Sequence, residues 1–352
     1  MPGFSSKNGT ISYMNMCENV KIVTQPLLNN YGGLLQNYAM QKSLTKLGVN
    51  VQTIDCLRMI RSPLYKCLRS WLKTLFCNYI LRKKRPFVEY SCKGHRYKFS
   101  CDFVSKWISR TDECYKYKAN FIRGCDAVIV GSDQVWRPMY NSRIEDMFLK
   151  FVGNLPVKRI AYAASFGVDD WEYSPTQTKV CSALAKKFDA ISVREESGVK
   201  LCKEHLGVDA TWVLDPTLLL DKGDYLPICE DVPVCNEKYL AVYVLDENEQ
   251  VISAYEKEAA KRGLVVKKFQ ADSKSTLTVP EWLAMFRDAS YVVTDSFHGT
   301  VFSIIFDKEF KCLYNKSRGS ARFESLLKLY ETGKLNEMRE FSLNWLKKAL
   351  EK

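Results

Sequence analysis

The 352-residue sequence lacks several features that would place it in other classes of protein. No apolar run approaches the ~20 residues that a helix needs to cross a bilayer, and residues 1–19 lack the apolar stretch of a secretory signal. The 13 cysteines are scattered without a Cys-x-x-Cys pair, which is typical of reduced, mostly buried thiols and not of a disulfide framework or zinc site. With 46% hydrophobic and 26% charged residues, we expect a cytoplasmic globular protein that binds no metal.

Acidic residues are missing between Leu57 and Val88, where nine Lys or Arg residues contribute to a net charge of +12. Apolar residues recur there at helical spacing, which predicts a basic amphipathic helix. Such a helix can bind peripherally to the anionic inner face of the cell membrane, or pack on the domain as an ordinary insertion with a solvated basic face. Nucleic acid is not expected as a partner, because no recognition motif accompanies the charge. The apolar stripe comprises Ile60, Leu64, Leu68, Trp71, Leu75 and Tyr79.

Histidine is rare, and only one of the three histidines, His298, lies where a catalytic group is expected. The segment Thr294–Thr300 stands between the apolar runs Tyr291–Val293 and Val301–Phe306, which predicts a strand, a tight turn and a helix. Open α/β sheets bind ligands at that edge, where helix N-termini also favour anions. His298 is therefore a candidate general acid or base. Its alternative role is to cap the helix or satisfy a buried carbonyl group.

Alternating strands and helices predict an α/β fold with two doubly wound, Rossmann-like domains that face each other across a cleft. We expect the first domain at residues 14–222, with the basic helical insertion at 57–120. A linker with two prolines, several acids and little periodicity follows at 223–238. The second domain is expected at 239–335, and a terminal amphipathic helix at 336–352.

The start of the chain has the pattern of a βαβ unit. A strand is predicted at Asn19–Gln25, a glycine turn at Asn29–Gly33 and a helix at Leu34–Leu47. The Gly32–Gly33 turn would offer N–H groups to a phosphate, although the full Gly-x-Gly-x-x-Gly motif is absent.

Other predicted strands also end in small polar residues, glycine or arginine. One such ending is ordinary loop chemistry, but their repetition indicates a ligand-facing edge. These endings are Gly131–Trp136, Ser165–Gly167, Arg194–Glu196 and Asp215–Thr217.

The chain from about Lys21 to Leu335 resembles the polysaccharide pyruvyl transferase family. Each matching piece is weak alone, but their order and spacing together are specific. The pieces are Asn30–Gln36, Val130–Trp136, Tyr162–Gly167, Ser192–Glu195, Leu214–Thr217 and Ser296–Thr300. One departure is Ser296, because many members of the family carry arginine at the position two residues before the histidine.

The resemblance implies a glycosyltransferase-B-like fold whose second domain binds the donor. It also implies transfer of a pyruvyl group from phosphoenolpyruvate to two hydroxyls of one sugar, which forms a cyclic ketal. The acceptor would be a sugar or lipid-linked oligosaccharide used to build a capsule, exopolysaccharide or other cell-surface glycan.

Phosphoenolpyruvate carries a phosphate and a carboxylate, so its site needs cations and N–H donors. Ketal formation needs a proton on the enol carbon and removal of protons from two hydroxyls, and His298 is expected to handle them. No cofactor is expected besides the donor substrate. The residues expected to bind the donor are Arg194, Gly32, Gly33, Ser296, Gly299, Thr300, Arg318 and Arg322. Those expected to bind the acceptor are Asn30, Tyr31, Ser132, Asp133, Gln134, Trp136, Ser165 and Phe166.

Structural roles remain open for several of these residues. Arg194 could form a salt bridge with a neighbouring acid, and Arg318 and Arg322 could lie in a solvated loop. Asp133 and Asp295 could orient the histidine, bind sugar hydroxyls or cap helices.

Two other functions are compatible with this pattern. A glycosyltransferase of the same fold would use a nucleotide-sugar donor, and would need an extended pocket for base and ribose. A non-catalytic relative would bind glycan without releasing phosphate, since fold does not imply function. A titration of phosphoenolpyruvate against a panel of nucleotide-sugars would distinguish them.

Overall fold

The computed structural model describes residues 16–57, 59–61, 64–82, 90–92, 96, 98–271, 276–313 and 320–352. The strands are β1 (Asn19–Val23), β2 (Asn50–Thr53), β3 (Met59–Arg61), β4 (Tyr90–Cys92), β5 (Ala127–Val130), β6 (Lys158–Ala164), β7 (Ala190–Val193), β8 (Thr211–Trp212), β9 (Tyr239–Tyr243), β10 (Val265–Lys268), β11 (Tyr291–Thr294) and β12 (Phe310–Cys312). The helices are α1 (Tyr31–Lys46), α2 (Leu64–Leu75), α3 (Lys98–Trp107), α4 (Pro175–Ala185), α5 (Glu196–Leu201), α6 (Lys222–Tyr225), α7 (Glu249–Arg262), α8 (Val279–Asp288), α9 (Phe297–Ile305), α10 (Ala321–Glu331) and α11 (Leu335–Ala349). Arg318 and residues 83–85 of the basic stretch lie outside the described residues.

Two parallel sheets organise the chain. The first has the strand order β2-β1-β5-β6-β7-β8, and the second has the order β10-β9-β11-β12. Every pairing within these two sheets is parallel. A separate antiparallel hairpin, β3–β4, lies in the basic insertion. The predicted architecture of two doubly wound α/β domains is therefore confirmed.

The central strands are apolar because helices cover both faces of a parallel sheet. β5 has the sequence Ala-Val-Ile-Val, β9 has the sequence Tyr-Leu-Ala-Val-Tyr, and both are buried at every position. Every cysteine whose side chain the structure describes is a free thiol, and five of these eleven are buried while six are half-buried. Within the described ranges, no helix combines the length and apolar character that crossing a bilayer requires.

The two domains share an apolar core. The ring of Tyr31 in α1 meets the Trp282 indole of α8 edge-on, with centroids 6.2 Å apart. Tyr225 packs edge-on against Phe302 of α9, at 5.2 Å. The stretch expected as a linker thus contributes a fully buried side chain, since Tyr225 lies within 223–238. These contacts hold the domains together beside the cleft.

The last helix returns to the first domain. Ser342 Oγ of α11 accepts a hydrogen bond from the Leu214 amide at 3.0 Å. The Cys17 amide donates to the Leu350 carbonyl at 2.9 Å, close to the start of β1. The chain therefore crosses between the domains twice and ends on the first.

The helix after β1 begins earlier than predicted. α1 starts at Tyr31, because the Asn30 side chain caps it by accepting a hydrogen bond from the Gly33 amide at 3.2 Å. Gly32 and Gly33 lie in the first helical turn, so the predicted glycine turn is wrong. The Gly33 amide donates its hydrogen bond to the Asn30 cap. The prediction that this amide binds a donor phosphate is therefore corrected.

Candidate active site

The junction of β11 and α9 has the predicted strand–turn–helix geometry. Thr294 Oγ1 donates to the Tyr243 carbonyl at 2.6 Å and accepts from the Ser296 amide at 3.1 Å. Ser296 is the N-cap of α9, and its Oγ accepts from the Gly299 amide at 3.4 Å. His298 consequently lies in the first turn of the helix, at the carboxyl end of the second sheet.

Two glycines allow close approach at this junction. A Cβ on Gly299 would lie 2.2 Å from Thr294 Oγ1, so no side chain fits where α9 packs on β11. A Cβ on Gly32 would lie 2.3 Å from His298 Nδ1. Because Gly32 has no side chain, the imidazole of His298 fits against α1. The N-terminal turns of α1 and α9 converge at this contact. Two helix N-termini make this part of the cleft favourable for an anion.

A cleft of about 560 Å³ lies where these helices meet, within the usual size of a small-molecule site. His298 lines it together with several other predicted residues. Those are Asn30, Gly32, Asp133, Gln134, Ser296 and Arg322.

Arg322, the second residue of α10, brings a cation to the cleft. Its guanidinium carbon lies 5.7 Å from the centroid of the Phe297 ring and 5.5 Å from that of the Phe323 ring. Burial and the nearby Arg194 lower the pKa of Arg322 to about 10, so the group stays charged at neutral pH. Within the part of the chain that the structure describes, Arg322 has no ion pair, and its Nε has no hydrogen-bond acceptor. A partly buried cation of this kind is suited to an anionic ligand.

Arg194 lies behind the cleft wall in a buried ion pair. Its Nη1 donates to Asp215 Oδ2 at 3.0 Å, and its Nη2 lies 3.7 Å from Asp133 Oδ1. The side chains of Arg194 and Asp215 are 2% and 0% exposed. The guanidinium carbon of Arg194 is 4.9 Å from the centroid of the Phe297 ring. Arg194 thus connects three loops under the site, one of the structural roles that sequence left open.

Asp215 is ionised and stabilises this arrangement through its hydrogen bonds. It accepts hydrogen bonds from Gln36 Nε2 and from the Thr217 amide and hydroxyl. Burial alone would raise the pKa of Asp215, but Arg194, His298 and the Thr217 bonds outweigh burial and lower it. A buried carboxylate near His298 favours the imidazolium that proton transfer would form.

His298 is buried, and among the described residues its Nε2 has no hydrogen-bond partner. Burial lowers the pKa of His298; Asp215 and Asp133 oppose this shift, while Arg194 and Arg322 add to it. The imidazole is therefore neutral at neutral pH, and its buried Nε2 has no hydrogen-bond partner among the described residues.

The lowered pKa of His298 predicts a pH-dependent stability. The unfolded chain takes up this proton first, near the ordinary histidine value of 6.5, so the free energy of unfolding should fall as pH drops below that value. His298→Gln removes this contribution. We expect the melting temperature to fall less between neutral and mildly acidic pH in the variant than in the wild type, measured by differential scanning fluorimetry. Equal falls in both proteins would contradict a depressed pKa.

Several predicted residues do not line the cleft. The Tyr31 hydroxyl donates to the Leu277 carbonyl at 2.8 Å, and Thr300 Oγ1 donates to the Ser296 carbonyl at 3.1 Å. Ser132 accepts from Gln36 Nε2 at 2.9 Å and supports the loop beneath the site. Their assignment as direct ligand contacts stays a prediction. Gly33, Gly299, Arg194, Trp136, Ser165 and Phe166 also lie off the cleft wall.

Trp136 and Phe166 belong to the core of the first domain. The Trp136 ring stacks on Phe148 at 4.8 Å, and its Nε1 donates to the Met147 carbonyl at 3.0 Å. Phe166 packs against the same indole at 5.5 Å. These aromatic rings position the loops after β5 and β6 instead of presenting a surface to the cleft.

Sequence reasoning missed other residues of the cleft. Tyr243, the last residue of β9, and Leu245, two residues later, line it, so the rule applied to the other strand ends would have found them. Tyr140 and Phe323 also line it, from a short 3₁₀ helix at Pro138–Tyr140 and from α10, where no sequence signal marks them. Asp295, whose role the sequence left open, also lines the cleft, and its carboxylate accepts from the Leu245 amide at 2.7 Å.

Two parallel-sheet domains that face each other across a cleft define a glycosyltransferase-B-like α/β protein. The family model of polysaccharide pyruvyl transferase matches residues 30–317. The chain belongs to this enzyme family, as the sequence motifs predicted.

Solved structures that resemble this fold have low sequence identity to this chain. Staphylococcus aureus MnaA, determined with UDP, shares 10% identity at a TM-score of 0.49, and the match covers 93% of this chain and 91% of that one. UDP-GlcNAc 2-epimerase from Neisseria meningitidis, bound to UDP-GlcNAc, shares 10% identity at a TM-score of 0.46, with coverages of 93% and 94%. A variant of the wall teichoic acid polymerase TagF shares 7% identity at a TM-score of 0.37, with coverages of 94% and 82%. No curated protein matches the chain.

Proposed function

We propose that this protein transfers a pyruvyl group from phosphoenolpyruvate to two hydroxyls of one sugar in a cell-surface glycan or its precursor. The observation that carries this proposal is the pairing of two groups in one cleft. Arg322 brings a cation without an ion pair among the described residues, and His298 brings a neutral imidazole with an unused Nε2. A donor that is anionic and must also gain a proton would use both.

The chemistry balances with these groups. A first sugar hydroxyl adds to C2 of phosphoenolpyruvate while C3 gains a proton and becomes a methyl group. A second hydroxyl then replaces the phosphate at C2, and inorganic phosphate leaves with the second proton. The neutral His298 would take the proton of the attacking hydroxyl and return it to C3. Asp215 would stabilise the charged imidazole between these transfers.

Arg322 offers an explanation for the family departure at Ser296. The serine caps α9 and presents no charge, while Arg322 reaches the same cleft from α10 and packs on the neighbouring Phe297 ring. The cation expected beside the donor would therefore come from another helix. The helix N-termini at His298 and Gly32 would add partial positive charge to it.

Calorimetric titration of the full chain tests donor choice. We expect phosphoenolpyruvate to bind and UDP-GlcNAc, inorganic phosphate and pyruvate to bind more weakly or not at all.

Turnover is then followed as phosphate release. The acceptor is a glycan fraction from cells in which this gene is deleted. The product should carry a ketal methyl group detectable by NMR. Tight UDP-GlcNAc binding without phosphoenolpyruvate binding would favour a nucleotide-sugar-dependent transferase, and glycan binding without phosphate release would favour a non-catalytic relative.

Arg322→Gln should weaken phosphoenolpyruvate binding by about 10- to 100-fold, the usual scale for a hydrogen bond to a charged group. The affinity of Arg322→Lys for phosphoenolpyruvate should lie between those of Arg322→Gln and the wild type, because lysine keeps the charge but loses the planar fork. Lys328→Gln is the matched control, since Lys328 lies on the same helix with a side chain 65% exposed. Unchanged donor affinity in Arg322→Gln would remove Arg322 from the donor site.

A further inference from the structure

We propose that the α2 segment, defined as residues 64–82, docks this protein on an anionic membrane surface. The segment comprises α2 and a π-helical turn at Phe76–Ile80. This proposal goes beyond the transferase activity and does not depend on it.

Most of the apolar side chains that the structure describes in the α2 segment face solvent. Sequence left open whether the apolar stripe packs against the domain; among its members with described side chains, Leu68, Trp71 and Tyr79 are exposed and Leu75 is half-buried. Seven of the sixteen exposed large apolar side chains that the structure describes fall within residues 68–81, and they are 50% to 80% exposed. Contiguous exposed apolar surface marks an interaction site, while single exposed residues are ordinary. The seven are Leu68, Trp71, Leu72, Phe76, Tyr79, Ile80 and Leu81.

The described basic residues of α2 lie beside its apolar arc. At helical spacing Leu68, Trp71 and Leu72 share an arc of roughly 100°, and Arg69 and Lys73 lie outside it, roughly 60° and 100° beyond Leu72. Both basic residues are exposed. A helix with an apolar face bearing Trp and a basic face can lie in the plane of a membrane surface.

Charge complementarity identifies the occupant as an anionic membrane. Residues 57–88 contain nine Lys or Arg and no acid, so a second copy of the same segment would be repelled. Anionic lipid attracts such a segment, and the aromatic side chains Trp71, Phe76 and Tyr79 suit the headgroup boundary. The exposed apolar face would then insert beneath the headgroups.

The insertion is fastened beside the cleft. Arg96 donates from Nε to the Leu27 carbonyl at 2.5 Å and from Nη2 to Asp55 at 2.8 and 2.9 Å. Arg110 adds a bond to the buried Asp55 at 2.8 Å. Leu27 stands between Pro26 and Leu28, which line the cleft. Arg96 and Arg110 thus tie the later part of the insertion to the loop that lines the cleft. On the proposed function, docking through the α2 segment would bring the protein to the surface that carries a lipid-linked acceptor.

Co-sedimentation of the full chain with vesicles tests the proposal. We expect binding to vesicles of phosphatidylcholine with phosphatidylglycerol, weakened by high salt, and none to phosphatidylcholine alone. The triple variant Arg69→Glu, Lys73→Glu and Arg82→Glu should bind at least ~10-fold more weakly, since each charge near the surface contributes. The double variant Leu68→Ser and Trp71→Ser should also lose binding, because it removes apolar insertion.

The matched control replaces three exposed lysines outside the α2 segment, Lys187, Lys200 and Lys203, with glutamate. It has the same net charge as the triple variant and should keep vesicle binding. Equal binding to both vesicle types, no binding, or full binding by the triple variant would overturn the proposal. A wild-type dimer that the Leu68 and Trp71 changes dissociate, seen by analytical ultracentrifugation, would also overturn it. Vesicle binding by a protein that fails to bind phosphoenolpyruvate would refute the proposed function alone.

Discussion

His298→Gln should lower turnover by about 10²- to 10⁴-fold, the usual contribution of a general acid or base. Glutamine can hydrogen-bond but cannot transfer a proton at neutral pH. The substitution therefore distinguishes a role in proton transfer from a role in hydrogen bonding. Binding of phosphoenolpyruvate should change only modestly, because Arg322 and the two helix N-termini remain. The measurement is phosphate release in the presence of the unmodified glycan, with donor affinity from calorimetry on the same protein.

His205→Gln provides the control for the loss of an imidazole. His205 stacks on Trp171 with ring centroids 4.5 Å apart and does not line the cleft. It should keep wild-type turnover. Near-wild-type phosphate release by His298→Gln would show that another group handles the protons, and the assignment of His298 would then be abandoned.

The fold and the position of His298 could be predicted because their signals are local. Buried parallel strands need short apolar runs, and Ser296 and Gly299 mark a helix start within a few residues of the histidine. Each signal is contained in one strand–turn–helix unit. The same local rule failed at α1, where the Asn30 cap moved the helix start into the predicted glycine turn.

The partners within the site could not be predicted, because they come from distant parts of the chain. Gly32 was expected to offer an amide to phosphate, yet its lack of a side chain makes room for His298 in the other domain. Arg322 and Arg194 are both arginines at helix starts. Only the three-dimensional arrangement shows that Arg194 pairs with Asp215, while Arg322 faces the cleft without an ion pair among the described residues.

The α2 segment shows the same limit. Its amphipathic pattern was evident from spacing, but spacing does not say whether an apolar face packs on the domain or meets solvent. The exposed fractions of Leu68 and Trp71, 61% and 52%, come from the three-dimensional structure and not from the spacing.

Arg194→Met should lower the free energy of unfolding by about 3–5 kcal/mol, because it leaves Asp215 as a buried carboxylate without its cation. Arg194→Met with Asp215→Asn should recover much of this loss, since the amide removes the charge and keeps a similar shape. Lys200→Met is the control: its pair with Glu204 is exposed on both sides, and such pairs contribute about 0–1 kcal/mol. Urea unfolding of all four proteins gives the comparison.

Arg194→Lys separates this positioning role from direct donor binding. The sequence-based expectation was that Arg194 contacts the donor, so the lysine variant should raise the donor requirement markedly. The buried geometry instead predicts lower stability with donor affinity largely kept, because the guanidinium faces Asp215 and Asp133 behind the cleft wall. Calorimetry with phosphoenolpyruvate and urea unfolding on the same preparation distinguish the two. A large loss of donor affinity at wild-type stability would move Arg194 from the support of the site into the site itself.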